Sequence, residues 1–275
     1  MKGLQIVLLF VVLGCSVQFS TAGIERRISA FNIQTFGKTK AGKPWVMEDL
    51  VQILKRNDII LIQEIRDIDE IAIVDLLDDL NADTGNQYSM IMASRQGRSS
   101  SYKEQYCYFY KHAAFEIVAS NEYPDNKDDY ERAPFNVHFK DLGDGKEFVL
   151  SGLHAKPDDA VAELDKMPDV YNYIISSLGV SDVLMLGDFN ADCSYVGSND
   201  WSSIALWTDQ RFNWLIDNYA DTTVSTTDCA YDRFVVAGNL NCYSASVFRF
   251  DEELSLSTFD PKDVSDHYPV EVCIS

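Results

Sequence analysis

Several apolar runs in this chain end abruptly in oxygen-bearing or titratable side chains, and that pattern constrains the fold more than any other feature. In "VLMLGDFNADCSY" (183–195), four apolar residues and a glycine lead straight into Asp188, Phe189 and Asn190. A run that is apolar at every position, not at alternate ones, describes a strand covered on both faces. While strand geometry lasts, its period of two points Asp188 and Asn190 to the same side. The ending recurs. "DIILIQE" (58–64) stops at Glu64, "EFVLSGLH" (147–154) stops at His154, and "RISAFN" (27–32) carries Asn32 at its polar break. A further strand, "HYPVEVCIS" (267–275), begins directly after Asp266, at His267. One such ending reads as a turn or a cap, because Asp and Asn favour both. Five on independent strands read as a site, in the crevice at strand ends where α/β sheets hold ligands.

The remaining pattern fits that frame. Further strands are expected in "YSMIMAS" (88–94), "QYCYFYK" (105–111), "FNVHFK" (135–140) and "YDRFVVAG" (231–238). Helical spacing lines up Val46, Leu50, Ile53 and Leu54, then Ile73 or Val74 with Leu77 and Leu80. A third helix lines up Val161, Leu164, Met167, Ile174 and Leu178, with a kink or break expected at Pro168. Many strands and few helices give packed sheets flanked by helices, an α/β class. No repeat, low-complexity tract or Pro/Gly linker divides the chain, so residues 23–275 are expected to form one domain.

The first 22 residues are set apart. Met1-Lys2, a short apolar run and small residues at Ser20 and Ala22 describe a secretory signal over 1–22, cut near Ala22 or Gly23. The run is shorter than the ~20 apolar residues a membrane anchor needs. Secretion implies an oxidising compartment, in which the five cysteines left after Cys15 form at most two bridges. Cys107 reads as a small core hydrophobe, while the sequence leaves open whether Cys242 and Cys273 pair across neighbouring strands. No cysteine has the C-x-x-C spacing of a zinc site. With 23 Lys and Arg against 43 Asp and Glu, the net charge of −20 argues against bulk attraction to nucleic acid. It leaves room for a local basic groove or for bound metal that reverses the sign.

The residue types at the strand ends then narrow the chemistry. Glu64, Asp188, Asn190, Asp266 and Asn32 are all oxygen donors, which suit Mg²⁺, Ca²⁺ or Mn²⁺ and not zinc. Such ions stabilise charge in phosphoryl transfer. His154 and His267, two of only four histidines, supply an acid and a base, with Glu104 and Asp232 as candidate orienting carboxylates. The competing reading is a structural ion beside core histidines.

At the level of whole blocks, the chain resembles the secreted deoxyribonuclease I family. The matching segments are "AFNIQTFG" (30–37), "LIQEIRD" (61–67), "GRSSSYKEQY" (97–106), "LHAKPDDAVAE" (153–163), "LMLGDFNADCSYV" (184–196), "DTTVSTTDCAYDR" (221–233) and "SDHYPVEV" (265–272). The resemblance implies a four-layer α/β sandwich and metal-dependent hydrolysis of double-stranded DNA to 5′-phosphorylated oligonucleotides. It implies His154 and His267 as the acid–base pair, oriented by Glu104 and Asp232. Glu64 becomes the principal metal ligand, with Asn32, Asp188, Asn190 and Asp266 around it. Arg66 and Tyr102 become the minor-groove pair, and Arg98, Arg132 and Thr227 become phosphate contacts. It also implies a Cys193–Cys229 disulfide and a structural calcium loop at Asp221, Thr223 and Thr227. The cofactors implied are Mg²⁺ or Mn²⁺, and Ca²⁺.

Some segments depart from the family. Ala133 stands where members often carry a calcium-binding glutamate, and "QYSMIMAS" lacks the pattern that grips actin, so actin binding is not assumed. A monomer acting on DNA without a membrane is the expectation. A lipid or inositol phosphate phosphodiesterase of the same superfamily, and a non-enzymatic binding protein on this scaffold, are the alternatives.

Overall fold

The computed structural model describes residues 24–100, 102–258 and 260–275, so the leader expected over 1–22 lies outside the described residues. In chain order the strands are β1 (Arg26–Phe36), β2 (Ile59–Ile65), β3 (Tyr88–Met92), β4 (Gln105–Lys111), β5 (Phe115–Glu122), β6 (Phe135–Asp141), β7 (Glu147–Gly152), β8 (Val183–Asp188), β9 (Asn213–Trp214), β10 (Asp232–Ala237), β11 (Cys242–Val247) and β12 (Val270–Ile274). They form two six-stranded sheets, ordered β11-β12-β1-β2-β4-β3 and β5-β6-β7-β8-β10-β9. Each sheet has one parallel pair near its middle, β1 with β2 and β7 with β8.

The continuous apolar runs exist because both faces of these strands are covered. Along β1, Ile28 and Ala30 face the other sheet, while Phe31 and Ile33 pack beneath helices. Along β2, Leu61 faces inward and Ile60 and Ile62 outward. In the second sheet, Leu184 and Leu186 of β8 meet that same central layer, and Val183 and Met185 meet the opposite helix. Helices Pro44–Leu54 and Ile71–Thr84 cover the first sheet, and Ala160–Leu178 covers the second. The result is the four-layer α/β sandwich that the sequence implied. Burying each Leu or Phe of these layers contributes roughly 1.5–3 kcal/mol.

The structure answers three points that the sequence left. The helix Ala160–Leu178 runs unbroken through Pro168. Pro168 is buried with Leu164 and Met167 on the sheet-facing side, and that packing carries the helix past the missing N–H. Cys242 and Cys273 are free thiols. Register explains this: Cys242 lies opposite Ile274 and Cys273 opposite Tyr243, so the two sulfurs point to opposite faces. Finally, β5, β9 and β11 have no counterpart in the sequence reading. β5 and β11 lie at sheet edges with alternating burial, and β9 spans two residues.

Candidate active site

The two parallel pairs end at the same place. Asn32 is on β1, Glu64 on β2, His154 just after β7 and Asp188 at the end of β8. β1 bulges there: its register with β2 breaks between Asn32 and Phe36, and Gln34 and Thr35 have φ of 42° and 51°. Glu64 itself has φ 60°, beside a break in the pairing of β2 with β4. Left-handed backbone at non-glycine residues is costly and concentrates where side chains must be aimed. Here it turns both strand ends toward one another. The Thr35 N–H donates to Glu64 Oε2 at 2.7 Å, and Asn32 Nδ2 donates to Glu64 Oε1 and Asp188 Oδ2, both at 3.1 Å.

A fully buried Gln63 joins the sheets behind them. Its Nε2 donates to the Leu153 carbonyl at 2.7 Å, and its Oε1 accepts from the Asp188 N–H at 2.9 Å. Gly187 lies in the same contact with φ 129°, and a Cβ there would meet the Leu153 carbonyl at 2.3 Å. Only glycine lets the strands approach this closely. Beyond Asp188 the chain leaves strand geometry. Asn190 takes φ 48°, its N–H donates to Asp188 Oδ1 at 3.0 Å, and its side chain donates to the Ala155 carbonyl at 2.9 Å.

Two carboxylate–histidine arms converge on Asp188. His154 Nδ1 meets Glu104 Oε1 at 2.5 Å, and His267 Nδ1 meets Asp232 Oδ2 at 2.8 Å. With Nδ1 engaged, each ring presents Nε2 to Asp188 Oδ2, at 3.4 Å from His154 and 3.6 Å from His267. Four strand ends and the Glu104 loop are needed to build this arrangement. The Tyr106 hydroxyl accepts from the His154 N–H at 2.8 Å, and Ser265 Oγ accepts from the His267 N–H at 3.0 Å.

Charge differs between the arms. Burial, the largest influence on each ring, disfavours its protonation, and neighbouring carboxylates more than reverse it. For His267 the reversal by Asp232, Asp188 and Asp266 raises the ring to about 10. His154 is raised too, by Glu104 and Asp188, but Arg132 works against it. Burial pushes the Glu104 carboxyl up, yet His154, Arg132 and Arg66 together hold it below the usual range. Burial dominates at Asp232, whose carboxyl is raised despite His267.

The oxygen donors fit a hard divalent cation. Asp266 Oδ1 is buried without a hydrogen-bond partner, and Glu64 is half-buried at the rim of the Asn32–Asp188 bridge. The loop expected to hold calcium also presents oxygen donors. The Thr223 hydroxyl sits between Asp221 Oδ1, at 2.9 Å, and the Thr227 carbonyl, while Arg249 pairs with Asp221 Oδ2 at 2.8 Å. Cys193 and Cys229 are joined by a disulfide, with Cα atoms 5.8 Å apart. The acidic residues near Ala133 are used internally. Asp125 accepts from the N–H groups of Asp129 and Tyr130, each at 2.8 Å.

The proposed groove residues fall into two groups. Arg66 lies 3.5 Å from the centre of the Tyr102 ring, which is 57% exposed, so this pair is assembled at the surface. Lys38, not Arg66, takes Asp69 and Asp67. Arg98 is held among carboxylates, with Asp128 at 3.0 Å and Asp159 at 3.4 Å. Arg132 is only 6% exposed; its Nε donates to the His154 carbonyl at 2.9 Å and lies 3.3 Å from Glu104. Its Nη2 is buried without a partner. Gln63 and the inner role of Arg132 escaped the sequence reading. The signal for Gln63 was a polar residue inside the apolar "IILIQ" run.

The endonuclease/exonuclease/phosphatase family model matches residues 29–267. Deoxyribonuclease-1 of Homo sapiens is 42% identical over 285 residues, covering all of both chains. Deoxyribonuclease-1-like 2 of Mus musculus is 44% identical over 252 residues and 90% of each chain. The chain belongs to the deoxyribonuclease I family. Its fold is also shared by distant structures. An endonuclease/exonuclease/phosphatase of Bacteroides vulgatus superposes with TM-score 0.63 at 18% identity, over 92% of this chain and 99% of that one. A mannosyl-6-phosphatase of Bacteroides thetaiotaomicron gives 0.64 at 16%, over 91% and 99%. At such identity the likeness concerns the scaffold, and scaffold alone does not choose a substrate.

Proposed function

We propose that the chain is a secreted, divalent-metal-dependent endonuclease that hydrolyses double-stranded DNA with weak sequence preference, leaving 5′-phosphorylated ends. What carries the reading is the convergence of two carboxylate–histidine arms on Asp188, within 3.4 and 3.6 Å. Phosphodiester hydrolysis needs a base for the water and an acid for the leaving oxygen, on opposite sides of one phosphate.

The unequal arms support one division of those tasks. His154, opposed by Arg132, accepts the proton of the attacking water at Nε2. The water oxygen bonds to phosphorus and the P–O3′ bond breaks. His267, held protonated by Asp232, Asp188 and Asp266, gives its Nε2 proton to the departing O3′. The products are a 3′-hydroxyl and a 5′-phosphate. Glu64, with Asn32, Asp188, Asn190 and Asp266 around it, would hold Mg²⁺ or Mn²⁺, which would supply positive charge against the phosphate. Ca²⁺ at Asp221, Thr223 and Thr227 has a structural role.

Arg66 on Tyr102 suits the minor groove, where a guanidinium reads width more than sequence. With a chain charge of −20, DNA affinity rests on a few such contacts plus metal. Raising monovalent salt should therefore inhibit. The chain is expected to act as a monomer.

Nicking of supercoiled plasmid by the mature protein, with Mg²⁺ plus Ca²⁺ and again with EDTA, tests the reading. Nicking confined to the metal samples, with 5′-phosphate at the new ends, supports it. Folded protein that leaves the plasmid intact in metal would overturn it.

A further inference from the structure

A half-buried lysine sits behind the metal end of the site and has no part in the chemistry described so far. Lys40 lies on the short helix Lys38–Ala41, directly after the bulge of β1. Its ammonium donates to the Ile33 carbonyl at 2.8 Å and to the Val264 carbonyl at 2.9 Å. These carbonyls belong to segments more than two hundred residues apart in the chain. One adjoins Asn32, and the other lies two residues before Asp266. A second tie runs alongside, since Ser265 Oγ donates to the Asn32 carbonyl at 2.6 Å.

Lys40 makes these bonds to carbonyls, which leaves its full positive charge to be felt by the carboxylates around it. Burial, the largest influence, draws its ammonium down to about 8, while Asp266, Glu64 and Asp263 support the charge and Lys43 opposes it. Glu64 accepts from the Thr35 N–H inside the bulge, and Asp266 directly follows Ser265, which is tied to the Asn32 carbonyl.

The geometry points to Lys40 as a resident cation of the metal end, a positioning residue that ties the Asn32 bulge to the Asp266–His267 segment and weakens the hold of Glu64 and Asp266 on a divalent ion. This rests on the metal reading given above. A fixed positive charge near two ligands keeps those carboxylates compatible when no divalent ion is bound, and repels the ion when it arrives. The site would then bind its metal only moderately and keep its shape without it.

Calorimetric titration of metal-free mature protein with Mn²⁺ tests this. The signal is the heat that Glu64→Gln abolishes, which separates this site from others. Removing the charge in Lys40→Met, or in Lys40→Gln, should tighten Mn²⁺ binding about fivefold to tenfold. Lys40→Arg should leave the Kd within about twofold. A packing role alone would not tighten metal binding on loss of charge. Unchanged or weaker binding in both neutral variants overturns the inference, and so does failure of both to fold. Absence of Glu64-dependent heat in the wild type is a different result, which removes the metal site itself and the reading built on it.

Discussion

The His154 and His267 arms each pair a histidine with a carboxylate, Glu104 in one and Asp232 in the other, but in opposite surroundings. Glu104 shares its site with Arg132, whose Nε lies 3.3 Å away, so a cation balances the carboxylate and restrains the histidine. Asp232 has no such partner. Its Oδ1 is buried without a hydrogen bond, and the neighbouring Arg233 turns away to the carbonyls of Ala230, Ile216 and Ala191. One dyad is neutralised from outside and the other only by its own proton. Two carboxylate–histidine pairs, one built on Glu104 and one on Asp232, are thereby given different proton affinities, which a base and an acid on one phosphate require.

Removing the rings has the largest effect. His154→Ala and His267→Ala should each slow plasmid nicking by ~10²-fold or more, the usual size of an acid–base contribution. Near-normal nicking by either would show that its arm has no proton to move. Next come the orienting carboxylates, which should separate by stability. Glu104→Gln leaves the Arg132 guanidinium buried with no carboxylate, and breaking such a pair costs about 3–5 kcal/mol. Asp232→Asn strands a ring that can release its proton, as the Arg132 guanidinium cannot, and should cost less. Thermal unfolding of the two variants compares them, and equal losses would contradict the difference in surroundings.

A smaller effect concerns pH in EDTA. The folded His267 ring is raised to about 10, against an unfolded value of about 6.5. Its contribution is therefore fully present below pH ~6.5 and is lost as pH rises toward 10. Asp232→Asn should flatten that part of the stability curve, and an unchanged slope would mean the ring is not held by Asp232. Smallest for activity is the Cys193–Cys229 bridge. Replacing both cysteines by alanine should lower stability by about 2–4 kcal/mol and leave nicking at 25 °C nearly unchanged.

Much of this was legible in the sequence because the site is built at strand ends. Asn32, Glu64, His154, Asp188 and His267 each interrupt an apolar run, and such interruptions are visible without coordinates. The fold class followed from the same runs, since doubly covered strands lose alternation. Strands β5 and β11 stayed hidden because edge strands are only partly covered and read as polar chain. The contacts of Arg132 with Glu104 and the His154 carbonyl were not legible, because an arginine's burial depends on how distant segments pack and nothing in "YERAP" announces it. Lys40 was invisible for a related reason: its partners are backbone carbonyls, which carry no sequence signature.

The most direct test of the unequal arms is the pH–rate profile of nicking by the wild type, Glu104→Gln and Asp232→Asn at saturating metal. If His267 is the acid and His154 the base, loss of the His267 proton sets the alkaline limb and protonation of His154 sets the acid limb. Asp232→Asn should therefore bring the alkaline limb to lower pH and leave the acid limb in place, while Glu104→Gln should move only the acid limb, also downward. If both substitutions shift the same limb, or neither limb moves, the division of labour between the two histidines is wrong.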